Sequence, residues 1–197
     1  MNYLRTVNHG LPLFSIVLFV DVHIKSRFSS SVMWALDCAK RPLGQFEAKY
    51  PDESRPRTCL ELCGVWVRGK IKMPIAKQAI LDSHAVARKI DDSEYGALCH
   101  AIGHAGATVH VETHALGLPI YELTAIVLKY GKDNFPKPVS EKMNYYYNRL
   151  LYWQENTDKL GLDWADFLLD DTKPNKERLL SEKQKLKLKL KLKQQRL

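Results

Sequence analysis

The sequence lacks the short motifs that mark several common enzyme classes. It contains no GxGxxG dinucleotide fingerprint, no Walker phosphate loop, no GxSxG nucleophile elbow and no HExxH zinc motif. Runs that alternate between apolar and polar residues are also scarce between residues 30 and 172, so few β-strands are expected there. What remains is a series of six or seven short helical segments, which predicts a single all-α bundle.

Cysteine is scarce, and its spacing does not suit a zinc knuckle. The four cysteines lie in apolar, helix-like runs at Cys38, Cys59, Cys63 and Cys99. Cys59 and Cys63 are separated by three residues, unlike the two ligands of a CxxC loop. We therefore predict buried, reduced thiols and a protein of the reducing cytoplasm.

Most of the chain has no excess of positive charge, although the net charge is +8. Ten of the 30 Lys and Arg residues lie from Lys173 to Leu197, with two of the 22 Asp and Glu residues. Residues 1–172 therefore carry 20 charges of each sign. A protein that binds specific nucleic acids through a basic body is disfavoured by this distribution.

The two ends of the chain differ from its body in composition. Residues 11–24 are an apolar run that includes Asp21 and His23, and the run is too short for a membrane-spanning helix. Residues 185–193 alternate Lys and Leu, so they cannot form an amphipathic helix and are expected to be disordered. Membrane contact is expected, if at all, only through these two segments. We predict three parts: an appended apolar segment (1–28), a helical domain (29–172) and a basic tail (173–197).

Proline and capping residues indicate where the helices begin and end. Ser30 or Ser31 can cap the first helix, and Pro42 should kink or divide it. Asp91, Asp92 and Ser93 can cap the helix that carries most of the histidines, since acidic residues suit a helix N-terminus, and Ser140 can cap the last long helix. The predicted helices are 32–50, 56–68, 74–90, 94–117, 119–131 and 141–160, with 162–169 as one further short helix.

Four of the seven histidines are concentrated at His100, His104, His110 and His114. If one helix carries them, their side chains fall within an arc of roughly 120°. His100 and His104 are four residues apart, and so are His110 and His114. Each pair could bind a metal ion from one face of the helix. His84, Cys99 or a carboxylate (Asp37, Glu61 or Asp82) could add a third ligand. The alternative is that these histidines form hydrogen bonds with carboxylates and carbonyls of neighbouring helices.

Arg55 and Arg57 flank a proline and follow Asp52 and Glu53. One interpretation is a clamp for an anion next to the histidines. The other is a charged loop whose arginines pair with Asp37 or with local acids. The second interpretation predicts that Asp37 and one of the two arginines lie within ion-pair distance.

Aromatic residues are grouped on the last long helix. Three tyrosines in a row, residues 145–147, cannot all face the core, so at least one ring must lie near the surface. Surface tyrosine and tryptophan are common anchors of protein–protein contacts. Candidate partner-binding residues are therefore Tyr145, Tyr147, Tyr152 and Trp153, and a core role for them is the alternative.

Five segments of the chain form a recognisable combination. They are WALDCAK (34–40), FEAKYPDESRPR (46–57), SHAVARK (83–89), HAIGHAGATVHVETHALGLPIYELTAI (100–126) and YYYNRLLYWQEN (145–156). Together they resemble the Imm-five-like family of bacterial immunity proteins, which is associated with polymorphic toxin systems. The resemblance extends over about residues 31–170, and it does not extend to the apolar segment or the basic tail.

The resemblance implies an all-α cytoplasmic protein that protects a bacterium by binding and neutralising a cognate toxin. It implies no catalytic residue and no cofactor. The residues at the family's recurrent positions are Trp34, Asp37, Arg55, Arg57, His84, His104, His110 and His114.

Two hypotheses of different class follow from the sequence. The first is a binding module that blocks a toxin protein and has neither a bound metal nor turnover. The second is a metal-dependent helical enzyme that uses the row His100, His104, His110 and His114. A third and weaker hypothesis is an association with membranes or nucleic acid through the two ends of the chain.

Overall fold

Helices fill almost all of the part of the chain that the structure, a computed structural model, describes: residues 28–159 and 163–166. Within these residues the chain forms seven α-helices and one short 3₁₀-helix and contains no strand, so the prediction of an all-α bundle is confirmed. The elements are α1 (Phe28–Cys38), α2 (Lys40–Lys49), α3 (Arg55–Val67), α4 (Met73–Lys89), α5 (Ser93–Ala107), the 3₁₀-helix (Glu112–Leu116), α6 (Gly117–Asn134) and α7 (Pro136–Asn156).

Helix α5 lies at the centre of the bundle and contacts α1, α2, α3, α4 and α6. Seven of its 15 residues are alanine or glycine, and small side chains allow several neighbours to pack close to one axis. At Gly106 a Cβ atom would lie 2.6 Å from the Sγ atom of Cys59 on α3, so glycine is what permits this approach. The start of α5 is capped as predicted, because the Asp92 carboxylate accepts hydrogen bonds from the backbone N–H groups of Glu94 and Tyr95.

A second layer of the core joins α1 to α7. Trp34 is fully buried, and its indole N–H donates a hydrogen bond of 3.0 Å to the backbone carbonyl oxygen of Tyr146. The two rings also pack together, with centroids 5.5 Å apart. This contact ties residues that are 112 positions apart in sequence, so it fixes the first helix on the last one.

Two predicted helix starts differ from the structure. Ser30 and Ser31 do not cap α1, because the helix already begins at Phe28 and both serines are buried inside it. Ser140 does not cap α7, because Pro136 can occupy the first turn, where its missing N–H group has no helical partner to lose. Pro42 does mark a division, since one helix ends at Cys38 and the next begins at Lys40.

The four cysteines are buried and unpaired, as expected for structural thiols. None of the helices in the described part of the chain is both long and apolar enough to span a bilayer. The appended apolar segment before Phe28 and the basic tail lie outside the described residues. Only residues 163–166 of the short helix predicted at 162–169 are described, and residues 163–165 are not helical.

Candidate functional site

The histidines form a cluster, but they do not share one helix. Helix α5 ends at Ala107, so His100 and His104 lie on the helix while His110 lies in the following turn and His114 in the 3₁₀-helix. The prediction of a single helix over residues 94–117 is therefore wrong. The β-branched residues Thr108, Val109 and Val111 follow Ala107, and such residues have a low helix propensity.

The fold brings in a fifth histidine from another element. His84 of α4 contacts both His100 and His104, with ring centroids 5.2 and 5.1 Å apart. The chain of ring contacts continues from His104 to His114 at 5.4 Å, and from His114 to His110 at 5.6 Å. Five half-buried imidazoles from α4, α5, the turn and the 3₁₀-helix thus form one group, which we call the histidine cluster.

Two glycines make room for this cluster. At Gly103 a Cβ atom would lie 2.7–2.9 Å from three atoms of the His84 ring. At Gly117, the first residue of α6, a Cβ would lie 2.3 Å from Cγ of His104. Tyr121 of α6 then covers the cluster, because its ring stacks on His104 at 5.0 Å and contacts His100 at 4.9 Å.

The electrostatic environment keeps three members of the cluster, His84, His100 and His104, uncharged near neutral pH. Burial and the neighbouring imidazoles lower the pKa of His84 to about 4, and burial with His114 and His100 lowers the pKa of His104 to about 4. Burial and Arg88 also lower the pKa of His100. The Nδ1 atoms of His84 and His100 are 3.0 Å apart, so one ring donates a hydrogen bond through its N–H group and the other accepts it through the unprotonated nitrogen of a neutral imidazole.

Acidification should therefore destabilise the protein. Because the two pKa values near 4 lie below the value of about 6.5 for an unfolded chain, the unfolded state binds more protons between pH 6.5 and 4. Stability is thus fully present above pH 6.5 and is lost as the pH falls. Urea unfolding should show a loss of about 2 kcal/mol from pH 7.5 to pH 5, a value reduced for partial exposure and mutual contact.

The variant His84→Asn separates this effect from other titrations. It should lose about half of the pH dependence between pH 7.5 and pH 5, because it removes one of the two groups. Carboxylates whose pKa is lowered, such as Asp37 and Glu53, titrate below this interval. A stability that stays level or rises towards pH 5 in the wild-type protein would contradict the argument.

His84, one of the proposed additional metal ligands, lies within the histidine cluster, whereas three of the others have different surroundings. Asp82 accepts a hydrogen bond from Gln78, Asp37 pairs with Arg149, and Cys99 is buried in an apolar cluster with Phe46. Across residues 28–159 and 163–166, no group of three or more His, Cys, Asp or Glu side chains is arranged to hold a metal ion. The metal hypothesis for His100, His104, His110 and His114 stays a prediction.

Asp37 is paired with Arg149, not with either arginine of the 55–57 loop. Its Oδ2 atom accepts hydrogen bonds from Arg149 Nε at 2.9 Å and from the indole N–H of Trp153 at 3.1 Å. Burial alone would raise the pKa of Asp37, but these two donors outweigh it and the pKa is lowered. The predicted pair with Arg55 or Arg57 is wrong because the packing of α1 against α7 brings Arg149 to the carboxylate instead.

Arg55 and Arg57 have partners closer in sequence. Arg55 pairs with Glu53 through both oxygens of the carboxylate, with Nε to Oε1 at 2.7 Å. Arg57 pairs with Glu47 on α2. The structure thus matches the interpretation of charged residues that brace the turn between α2 and α3.

The aromatic residues of α7 divide between core and surface. Tyr152 is 38% exposed, Tyr145 and Tyr147 are half-buried, and Trp153 is buried. Trp153 is therefore not an exposed partner-binding residue; its indole N–H is used by Asp37. Arginines lie over the two more accessible rings, with Arg41 Cζ 3.7 Å from the Tyr145 centroid and Arg149 Cζ 4.2 Å from the Tyr152 centroid.

Tyr146, between these positions, belongs to a buried polar network. Its hydroxyl donates a hydrogen bond to Oε2 of Glu122 on α6, and the other carboxylate oxygen pairs with the ammonium of Lys142. Glu122 is 1% exposed, and the Lys142 side chain is 11% exposed. Sequence reasoning missed this network. Glu122, the single carboxylate within the apolar run at 118–128, was a usable signal, because a buried glutamate is almost always paired.

A cleft of about 270 Å³ opens above this network. Its walls include Arg41 on α2, Glu94 on α5, Lys129 and Tyr130 on α6, and Tyr145 on α7. Sequence reasoning did not predict the cleft, because four helices that are distant in the chain contribute to it. We call it the Arg41 cleft.

Comparison with known families identifies the chain. The model of the family described as Imm-5 like putative immunity protein matches residues 26–149, which is more than half of the 197 residues. No curated protein and no solved structure matches the chain. The helices and the histidine cluster described above lie almost entirely within the matched range. The chain therefore belongs to the Imm-5 like immunity protein family.

Proposed function

We propose that this protein acts in the bacterial cytoplasm as the immunity protein of a polymorphic toxin system, where it binds and neutralises one cognate toxin. Membership of the immunity protein family is the observation that carries the proposal. Neutralisation by binding needs a surface that can contact another protein, and it needs no chemistry of its own. We propose binding rather than catalysis as the activity.

The surface that best supports such a contact lies on α7 and the adjoining part of α2. Tyr145 and Tyr152 are seven residues apart and so project from the same side of the helix. Each has an arginine over its ring, Arg41 in one case and Arg149 in the other. Tyrosine and arginine are enriched among the residues that dominate binding energy at interfaces. We call these four residues the arginine–tyrosine surface.

The histidine cluster supports a structural role better than a direct contact. Its imidazoles are half-buried, pack on one another and are covered by Tyr121. The two glycines that make room for it lie in α5 and at the start of α6, so the cluster joins α4 to these helices. We propose that it holds the bundle in the shape that presents the arginine–tyrosine surface.

Co-expression with candidate toxins tests the proposal. Toxin domains encoded in the same genome are expressed in a susceptible bacterium with and without this protein. One of them should arrest growth when expressed alone and should permit growth when the wild-type protein is present. A stable complex of the two purified proteins should accompany the rescue.

Substitutions then test the surface. The double variant Tyr145→Ala/Tyr152→Ala should lose rescue and weaken the complex at least about tenfold, as expected for two interface anchors. The matched control Ile75→Ala/Leu81→Ala removes two exposed apolar side chains from α4 and should keep full rescue. Thermal unfolding of both variants checks that folding is retained. Full rescue by the tyrosine variant would exclude this surface, and failure with every candidate toxin would count against the proposed function.

A further inference from the structure

We infer that the Arg41 cleft is a binding site for a carboxylate group on an acidic segment of a partner protein. The inference rests on the proposed function for its biological setting, and it names the chemistry by which that partner is recognised. Its physical basis is a guanidinium that is held in position, at the mouth of a cavity, without a carboxylate of its own.

The cations of the cleft are not equally neutralised. Lys142 pairs with the buried Glu122 beneath the cleft floor, and Lys129 lies 3.9 Å from Glu94. Among the described residues, no carboxylate lies within ion-pair distance of the remaining cation, Arg41. Arg41 is therefore the one cation lining the cleft that no carboxylate of the described residues neutralises.

Arg41 is held in position by an aromatic ring. Its Cζ atom lies 3.7 Å from the centroid of the Tyr145 ring, and this cation–π contact stabilises the position of the guanidinium without using any of its N–H donors in a hydrogen bond to a carboxylate. The Lys142 ammonium approaches the same ring at 5.3 Å. Two cations that converge on one ring repel each other, so a carboxylate that bridges or faces them gains energy from both.

The rim of the cleft argues against a polyanion such as nucleic acid. Glu94 and Glu141 line the cleft beside the cations, and both would repel a chain of phosphates. Residues 1–172 have no net charge, so they offer no overall electrostatic attraction to a polyanion. A single aspartate or glutamate of a folded or extended protein segment fits this mixture of one unpaired cation and two acidic neighbours.

The cleft also continues into the surface already proposed as the contact region. Tyr145 belongs both to the arginine–tyrosine surface and to the cleft wall. Tyr130, which is 44% exposed, borders the cleft from α6. A partner that packs on the tyrosines can therefore place an acidic side chain into the cleft at the same time.

The test uses short peptides, so it needs no toxin. The full-length ¹⁵N-labelled protein is titrated with an acetylated hexapeptide that contains aspartate and glutamate, and separately with its asparagine and glutamine counterpart. A hexathymidylate oligonucleotide provides the polyanion. NMR shift changes should map to Arg41, Tyr130 and Tyr145, with the acidic peptide binding tightest and weakening as salt is added.

The variant Arg41→Gln should weaken binding of the acidic peptide about tenfold, the effect of losing one charge-assisted hydrogen-bonded pair. The control Arg68→Gln changes an exposed arginine outside the cleft and should leave the affinity unchanged. Equal binding of the neutral peptide, tighter binding of the oligonucleotide, or an acidic-peptide affinity that Arg41→Gln leaves unaltered would each overturn the inference. Because no toxin enters this titration, its failure is distinguishable from failure of the rescue experiment.

Discussion

The substitution Lys142→Met should destabilise the protein by about 3 kcal/mol or more, because it leaves the carboxylate of Glu122 buried without its counter-charge. Removing one partner of a buried ion pair is much more costly than the pair itself is worth, since the remaining charge cannot recover its hydration. The Tyr146 hydroxyl still donates to this carboxylate, but one neutral hydrogen bond does not replace an ammonium. Urea unfolding monitored by circular dichroism measures the loss.

Two further variants show whether the lost charge pair is the cause. Adding Glu122→Gln to Lys142→Met removes the unpaired charge and should restore a large part of the stability. Lys137→Met is the matched control. Lys137 lies five residues before Lys142 on α7, its side chain is 87% exposed, and its Nζ atom lies 4.0 Å from Oε1 of Glu141. Its effect should stay within about 0.5 kcal/mol. Equal effects of the two lysine substitutions would show that the buried pair contributes little.

Replacing Gly117 with alanine should destabilise the protein by about 2–3 kcal/mol, whereas the same change at Gly44 should stabilise it by up to about 1 kcal/mol. A Cβ at Gly117 would lie 2.3 Å from Cγ and 2.7 Å from Cβ of His104, which are not the movable end of a flexible side chain. A Cβ at Gly44, on α2, would meet no atom within 4 Å. Both changes replace glycine by alanine, which has the higher helix propensity. Only the change at Gly117 also creates a steric clash, with His104.

Thermal unfolding of both variants measures whether Gly117→Ala lowers the stability of the protein while Gly44→Ala raises it. The double variant Gly117→Ala/His104→Ala provides a second check, because it removes Cγ and Nδ1 of His104, the two atoms nearest to the new methyl group, and leaves only the contact with Cβ at 2.7 Å. Its loss of stability should be clearly smaller than the sum of the two single losses. Strict additivity would mean that Gly117 is not required to accommodate His104.

Much of the architecture could be predicted from the sequence, because it depends on local properties of the chain. The 3.6-residue periodicity, the scarcity of alternating runs and the prolines in the first turns of α3 and α4 predict helices whose observed bounds are Arg55–Val67 and Met73–Lys89. The Asp92 cap was predictable for the same reason, since a cap is an interaction with the next three residues. The cysteines were predicted as buried because each lies in an apolar run.

Pairings between distant parts of the chain were not predictable in this way. Asp37 has several possible cationic partners in the sequence, and only the packing of α1 against α7 selects Arg149, which is 112 residues away. The same packing turns Trp153 inwards, whereas an aromatic side chain near a helix end can equally face solvent. Local patterns carry no information on which of several compatible residues will meet.

The histidine cluster shows both sides of this division. Part of the cluster could be predicted from the sequence, because the four-residue spacing of His100 and His104 places two imidazole rings on one side of a helix. Its form was decided by tertiary structure: α5 ends at Ala107, α4 contributes His84, and Gly103 and Gly117 accept rings from other elements. A glycine in a sequence does not say which side chain will occupy the space that its missing Cβ leaves. That choice is made by the relative placement of whole helices, which depends on the sum of many weak packing contacts across the bundle.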